Sequence, residues 1–171
     1  MNESYSQEMQ EHLEPIIDNI EKEVILIGSD HRGFDLKVLL REHLIKENYD
    51  VMDVGTHNKE RCDYPSVAKS LVRNIMSEED VSSNKGILIC GSGFGMSITA
   101  NRHKGVHAVV PRSMEECKTA RQHGNVNVLC IGTDFTVKED SINIVDAFLN
   151  TDFEELDTSR YSQRIKMIDD E

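Results

Sequence analysis

The chain predicts a doubly wound, three-layer α/β/α domain on a five-stranded parallel sheet, Rossmann-like in class and flavodoxin-like in strand order. Three observations carry that expectation. Short β-branched runs alternate with stretches of helical periodicity along the whole middle of the chain. The runs are almost wholly apolar rather than alternating, as strands covered on both faces are. At 171 residues the chain can bury one sizeable core and is too short for two ordinary domains.

The elements follow in order. Val24-Ile25-Leu26-Ile27 reads as the first strand and runs into the loop Gly28 to Gly33. A helix over 34–47 is predicted, with Phe34, Val38, Leu39, Leu44 and Ile45 at near-helical spacing. A second strand covers 49–54 and a loop 55–65, followed by a helix over 66–76 and a polar linker. The third strand, Gly86 to Cys90, ends in Gly91-Ser92-Gly93-Phe94-Gly95 and a helix reaching about Arg102. Strands over 106–110 and 126–131 flank a helix over 113–123, and a further helix covers 138–149. In the order 2-1-3-4-5, the strand order reverses between the first and third strands. Ligands of such sheets bind beyond the strands' carboxyl ends at that switch.

Composition narrows the class of function. The net charge of −12 is concentrated at the ends, with −6 over residues 1–23 and −4 over 150–171, which leaves −2 for the middle. Acidic ends favour solubility and disfavour nucleic acid, so no DNA or RNA partner is expected. No apolar run has the length of a membrane span, and the polar, acidic start is no secretory signal. Cys62, Cys90, Cys117 and Cys130 lie far apart with no Cys-x-x-Cys pair, the pattern of free thiols in a reducing cytoplasm. Residues 1–23 read as an acidic extension with a short amphipathic helix (Met9, Leu13, Ile16, Ile17, Ile20), and 24–171 as the domain proper.

Two loops at the switch carry chemistry. Ser29-Asp30-His31-Arg32-Gly33 sets a carboxylate beside an imidazole at a helix start, where unpaired N–H groups can seat a phosphate; Asp30 or Ser29 can equally serve as a cap. Cys90 stands at a strand tip, before three alternate glycines that let the backbone approach a ligand and aim amides at an oxyanion. A helix start favours a thiolate, so a cysteine there can act as nucleophile or general base. The dinucleotide fingerprint fits poorly, because Met96 occupies the last glycine position and Gly95 comes one residue early. No acid ends the fourth strand, although Arg112 and Ser113 leave an NADP-binding protein as an alternative. His103 and His107 are separated by Gly105 and a turn, so no metal site is expected.

Together, 28–34 (Gly-Ser-Asp-His-Arg-Gly-Phe), Asp63-Tyr64-Pro65, Ile89 through Gly95, Ala100-Asn101 and Arg121-Gln122-His123 resemble ribose-5-phosphate isomerase B and the related galactose-6-phosphate and allose-6-phosphate isomerases. The resemblance runs from about Val24 to Arg164. It implies a metal-free and cofactor-free isomerase of the pentose phosphate pathway. It also implies a cytoplasmic homodimer or dimer of dimers with shared active sites, a sugar-phosphate substrate and no membrane partner.

Residue by residue, the resemblance makes Cys90 the base that moves a proton between C1 and C2 through an enediolate. Gly91, Gly93 and Gly95 with the Ser92 hydroxyl form the anion hole. His123 helps to open the sugar ring from the partner subunit. Asp30 binds sugar oxygens, His31 the phosphate, and Tyr64 and Asn101 belong to the substrate site. Arg160 and Arg164, four apart on a C-terminal helix, grip the phosphate. Two positions depart from the family pattern. Gly124 follows His123 where the family usually has Asn, and Asp134 stands where an arginine usually follows the fifth strand. These changes leave open a weak or inactive relative that binds a phosphorylated sugar or nucleotide, unless Arg112 or Arg32 compensates.

Overall fold

A computed structural model describes residues 24–77, 84–154 and 160–170. The extension read at 1–23 lies outside the described residues. Five strands, β1 (Val24–Ser29), β2 (Asp50–Asp53), β3 (Lys85–Cys90), β4 (Ala108–Val109) and β5 (Val128–Gly132), form one parallel sheet. The helices are α1 (Phe34–Lys46), α2 (Tyr64–Ile75), α3 (Phe94–Ala100), α4 (Met114–Gly124), α5 (Lys138–Leu149) and α6 (Arg160–Asp169).

Side chains of the central strands alternate between two apolar layers, and both are covered. Ile25, Ile27, Ile87, Ile89, Leu129 and Ile131 meet α1, α4 and α5. Leu26, Leu88, Cys90, Val128 and Cys130 face the opposite side, against α2 and α3. This is why these strands read as continuous apolar runs. It also fixes the direction of Cys90, toward the α2–α3 layer. Helix starts use ordinary caps: Ser113 Oγ accepts the Glu116 amide at 3.2 Å, and Pro65 lies in the first turn of α2.

The class is as expected, but the strand order is corrected. The sheet runs β2-β1-β3-β5-β4, so β5 takes the place beside β3 that the flavodoxin-like order gives to β4. The five-residue β5 is buried at every position, whereas β4 has two residues and one of them is half-buried. The longer, fully apolar strand gains more from a central position. Side chains also hold the backbone in and beside β4. Asn127 Oδ1 accepts the His107 amide at 2.8 Å, and Asn101 bonds both backbone groups of Ala108. The switch between β1 and β3 survives the correction, and the tip of β5 now joins it.

One expected core face also shifts. Val38 and Ile45 of α1 are exposed, while Lys37 is buried with Nζ 2.6 Å from both oxygens of Asp53. Among the described residues no helix is long and apolar enough to cross a membrane.

Candidate active site

The tips of β1, β3 and β5 build the site. Cys90 pairs in register with Gly132, and Ser29 with Ile89, so three loops emerge side by side. Their backbones are tied together: the Asp30 amide donates to Ile89 O at 3.0 Å, Thr133 N to Cys90 O at 3.0 Å, and Asp134 N to Gly91 O at 2.9 Å. Cys90 is nearly buried, and its Sγ accepts the Gly93 amide at 3.1 Å. That amide places partial positive charge against the sulfur. It is therefore directed at the thiol itself rather than at a ligand. Ser92 Oγ accepts the Phe94 amide at 3.4 Å, a long bond at the start of α3.

The other cysteines have different environments. Burial pushes the Cys117 thiol up to about 12, against a smaller opposing effect of Arg121, and burial also pushes Cys130 far up. Neither forms a thiolate near neutrality. Cys62 is half-buried, and its backbone borders His31, whose Nδ1 lies 3.3 Å from Cys62 O and 3.4 Å from Cys62 N.

The glycines of the loop serve three separate ends. A Cβ at Gly91 would overlap the Arg32 guanidinium, and one at Gly95 would lie 2.5 Å from the Tyr64 ring. Gly93 has φ +78° and turns the chain into α3. Tyr64 and Arg32 thus flank the loop. Asp30 Oδ1 accepts the amides of Arg32 (2.9 Å) and Gly33 (3.0 Å), which realises the capping use of this residue, while Oδ2 has no protein partner among the described residues. Asp134 Oδ1 lies 2.5 Å from Arg32 Nη2. The sequence alone did not pair these two residues. The signal was present in Gly91, a glycine with no positive φ to require it.

The remaining expected residues stand elsewhere on the chain. α4 joins two parallel strands and so returns to the sheet's amino edge, and His123 ends it there. The His123 ring stacks on Tyr161 with centroids 4.1 Å apart and planes 8° from parallel. Arg160 Nη2 donates to Tyr161 Oη at 2.9 Å, and Arg164 follows one turn along α6. Asp169 Oδ1 anchors the far end of α6, 3.0 Å from His107 Nε2. A cleft of about 710 Å³ opens at this edge, lined by Asn101, Arg102, His103, His107, Gly124 and Asp169.

Asn101 stands apart from the Cys90 of its own chain. It lies level with Ala108, Val128 and Gly86, roughly 13 Å down the sheet from Cys90 at 3.3 Å per residue. Its amide donates to Ala108 O at 2.8 Å and its carbonyl accepts Ala108 N at 2.7 Å, so both polar atoms secure β4. Arg121 is likewise structural. It is buried, with Nε donating to Thr151 O at 2.9 Å and Nη1 to Val126 O at 2.5 Å. Each chain therefore carries two separated groups: Cys90, Ser92, Asp30, His31, Tyr64 and the glycine loop at one edge, and His123, Arg160 and Arg164 at the other.

Comparison with known proteins adds the family. The family model described as Ribose/Galactose Isomerase matches residues 25–168. Ribose-5-phosphate isomerase B of Escherichia coli is 38% identical over 144 residues, covering 84% of this chain and 93% of its own. The crystal structure of a ribose 5-phosphate isomerase from Thermotoga maritima superposes with a TM-score of 0.80 at 39% identity, covering 86% of this chain and 98% of that one. The Mycoplasma genitalium ribose-5-phosphate isomerase B structure with bound ribulose-5-phosphate gives 0.79 at 38%, over 85% and 93% of the two chains. Matched across nearly all of its described length in sequence and in fold, the chain belongs to the ribose/galactose isomerase family.

Proposed function

We propose that the chain interconverts the aldose and ketose forms of a phosphorylated sugar, ribose 5-phosphate with ribulose 5-phosphate, at a site completed by a second copy of itself. The observation that carries the reading is Cys90: a thiol at a strand tip, its sulfur already met by the Gly93 amide, beneath a loop flanked by Tyr64 and Arg32. In the open-chain aldose, the Cys90 thiolate takes the proton from C2. The C2–H electrons form the C1–C2 double bond, and the carbonyl electrons move onto O1, giving an enediolate. The thiol then returns the proton to C1 while the O2 proton passes to O1, which yields the ketose and regenerates the thiolate.

The backbone amides of Gly91, Ser92 and Gly95, with the Ser92 hydroxyl, face the negative charge of the enediolate, those of Gly93 and Phe94 being spent within the loop. Asp30 Oδ2 is available to a sugar hydroxyl, His31 to the phosphate, and the Tyr64 ring forms a wall. Ring opening by His123 and phosphate grip by Arg160 and Arg164 come from the other subunit, because these side chains stand at the opposite edge of their own sheet. Asp134, which on sequence grounds favours an inactive relative, is paired with Arg32 and so is not a bare charge facing a dianion.

A coupled assay with ribose 5-phosphate, galactose 6-phosphate and allose 6-phosphate tests the reading. Turnover is expected with the pentose above both hexoses. No turnover of any of the three would refute it.

A further inference from the structure

Arg32 is held at both ends. Its backbone amide donates to Asp30 Oδ1 at 2.9 Å, and its guanidinium is met by Asp134 Oδ1 at 2.5 Å. Asp134 is itself fixed, since its amide donates to Gly91 O at 2.9 Å and the preceding Thr133 amide to Cys90 O. The ion pair thus bridges the tips of β1 and β5 across β3. Between these anchors the guanidinium lies on the face of Gly91, the residue next to Cys90; a Cβ there would come within 2.6 Å of Cζ and 3.0 Å of Nε. The Arg32 side chain is 54% exposed. Its Nε and Nη1 donate to no protein group among the described residues.

A half-exposed ion pair adds little to stability, so fold stability does not account for the arrangement. What it does is set a planar cation with unspent N–H donors on Gly91, the first residue of the loop that follows Cys90. We propose that Arg32 is a catalytic residue, whose guanidinium binds the sugar oxygen on which negative charge collects as Cys90 removes the proton, and that Asp134 is the positioning residue that holds it there. This rests on the isomerase reading above. The charge at that oxygen exists fully only after proton removal. The contact therefore strengthens toward the transition state and acts on kcat more than on KM. Asp134 needs no contact with substrate, and its effect passes through Arg32.

The experiment is steady-state kinetics on the full chain with ribose 5-phosphate, for wild type, Arg32→Ala, Arg32→Lys, Asp134→Ala and the double variant Arg32→Ala/Asp134→Ala. Arg32→Ala should lower kcat about a hundredfold, the effect of removing one oxyanion donor, with KM moving less than about threefold. Arg32→Lys should restore part of kcat. Asp134→Ala should lower kcat about tenfold by freeing the guanidinium, and the double variant should be no worse than Arg32→Ala alone. If alanine disturbs folding by circular dichroism, the near-isosteric and uncharged Arg32→Gln repeats the test. A kcat of Arg32→Ala within twofold of wild type overturns the proposal, as does a change confined to KM. It is equally overturned by Asp134→Ala and Arg32→Ala acting independently, or by an Asp134→Ala variant faster than wild type. Wild type that turns over no sugar phosphate overturns the isomerase reading and this proposal with it, an outcome separable from an active wild type with indifferent variants.

Discussion

The separation of His123 from Cys90 leads to a test by mixing. Cys90 ends β3 at the carboxyl edge of the sheet, whereas His123 ends a helix that has already returned to the amino edge. The length of β3 between those levels is roughly 13 Å, several times a hydrogen bond. Within one chain the two side chains thus stand at opposite edges of the sheet. A two-fold assembly can bring them to one sugar, with each copy lending His123 to the other's Cys90 and two equivalent sites per dimer. Cys90→Ala and His123→Ala chains should each be nearly inactive alone. Dissociated, mixed in equal amounts and reassociated, about half of the dimers pair the two variants. One site of each mixed dimer lacks both groups and the other has both. Activity should therefore approach about one quarter of wild type. The coupled ribose 5-phosphate assay reads the recovery, and mass spectrometry of the intact dimers verifies exchange. Verified exchange with activity still at the background of the single variants would refute the reasoning and confine His123 to its own chain.

Three further outcomes are expected. Cys90→Ala should lower kcat by about 10²- to 10⁴-fold with nearly unchanged substrate binding, and iodoacetamide should inactivate wild type unless substrate is present; normal turnover by the variant would remove Cys90 from the chemistry. Arg160→Ala and Arg164→Ala should each raise KM about tenfold, the worth of one charge-assisted hydrogen bond, and lower kcat less, because the phosphate is held equally in ground and transition states. The buried Cys117 thiol, at about 12 instead of its ordinary 9.0, stays protonated in the folded chain while the unfolded chain ionises, so the folded state binds more protons and stability falls as pH rises from 9.0 toward 12. Between pH 8 and 10.5 this is worth about 2 kcal/mol; urea unfolding of Cys117→Val should show that much less alkaline loss than wild type.

The fold was legible where its cause is local. Runs such as Gly86 to Cys90 are apolar at every position because layers of helix cover both faces, and that can be read from one segment alone. Strand order is a different kind of fact, since it depends on which strands pair across the chain. Even so, its signal was partly present. The 106–110 and 126–131 runs each carry one polar residue, His107 and Asn127, and the longer run took the interior position. Lys37 could not be read in this way. On the helical pattern it belongs to a solvated face, and Asp53, sixteen residues later, together with the Thr56 carbonyl makes its burial tolerable.

Motif residues divide along the same line. Asn101 and Arg121 sit in segments as distinctive as those of Cys90, yet both spend their polar groups on backbone that would otherwise be orphaned at a short edge strand and a helix end. The glycine loop shows why spacing alone cannot sort such roles. Gly91, Gly93 and Gly95 read as one anion-binding device, but only Gly93 is required by its own dihedral angle. The other two are required by what lies on them, Arg32 from the tip of β1 and Tyr64 from the start of α2. A glycine that no turn demands reports a neighbour, and at Gly91 that neighbour is the Arg32 guanidinium. A methyl group at 91 would lift the guanidinium from its seat, so the loop sequence and Arg32 constrain one another although 59 positions separate them.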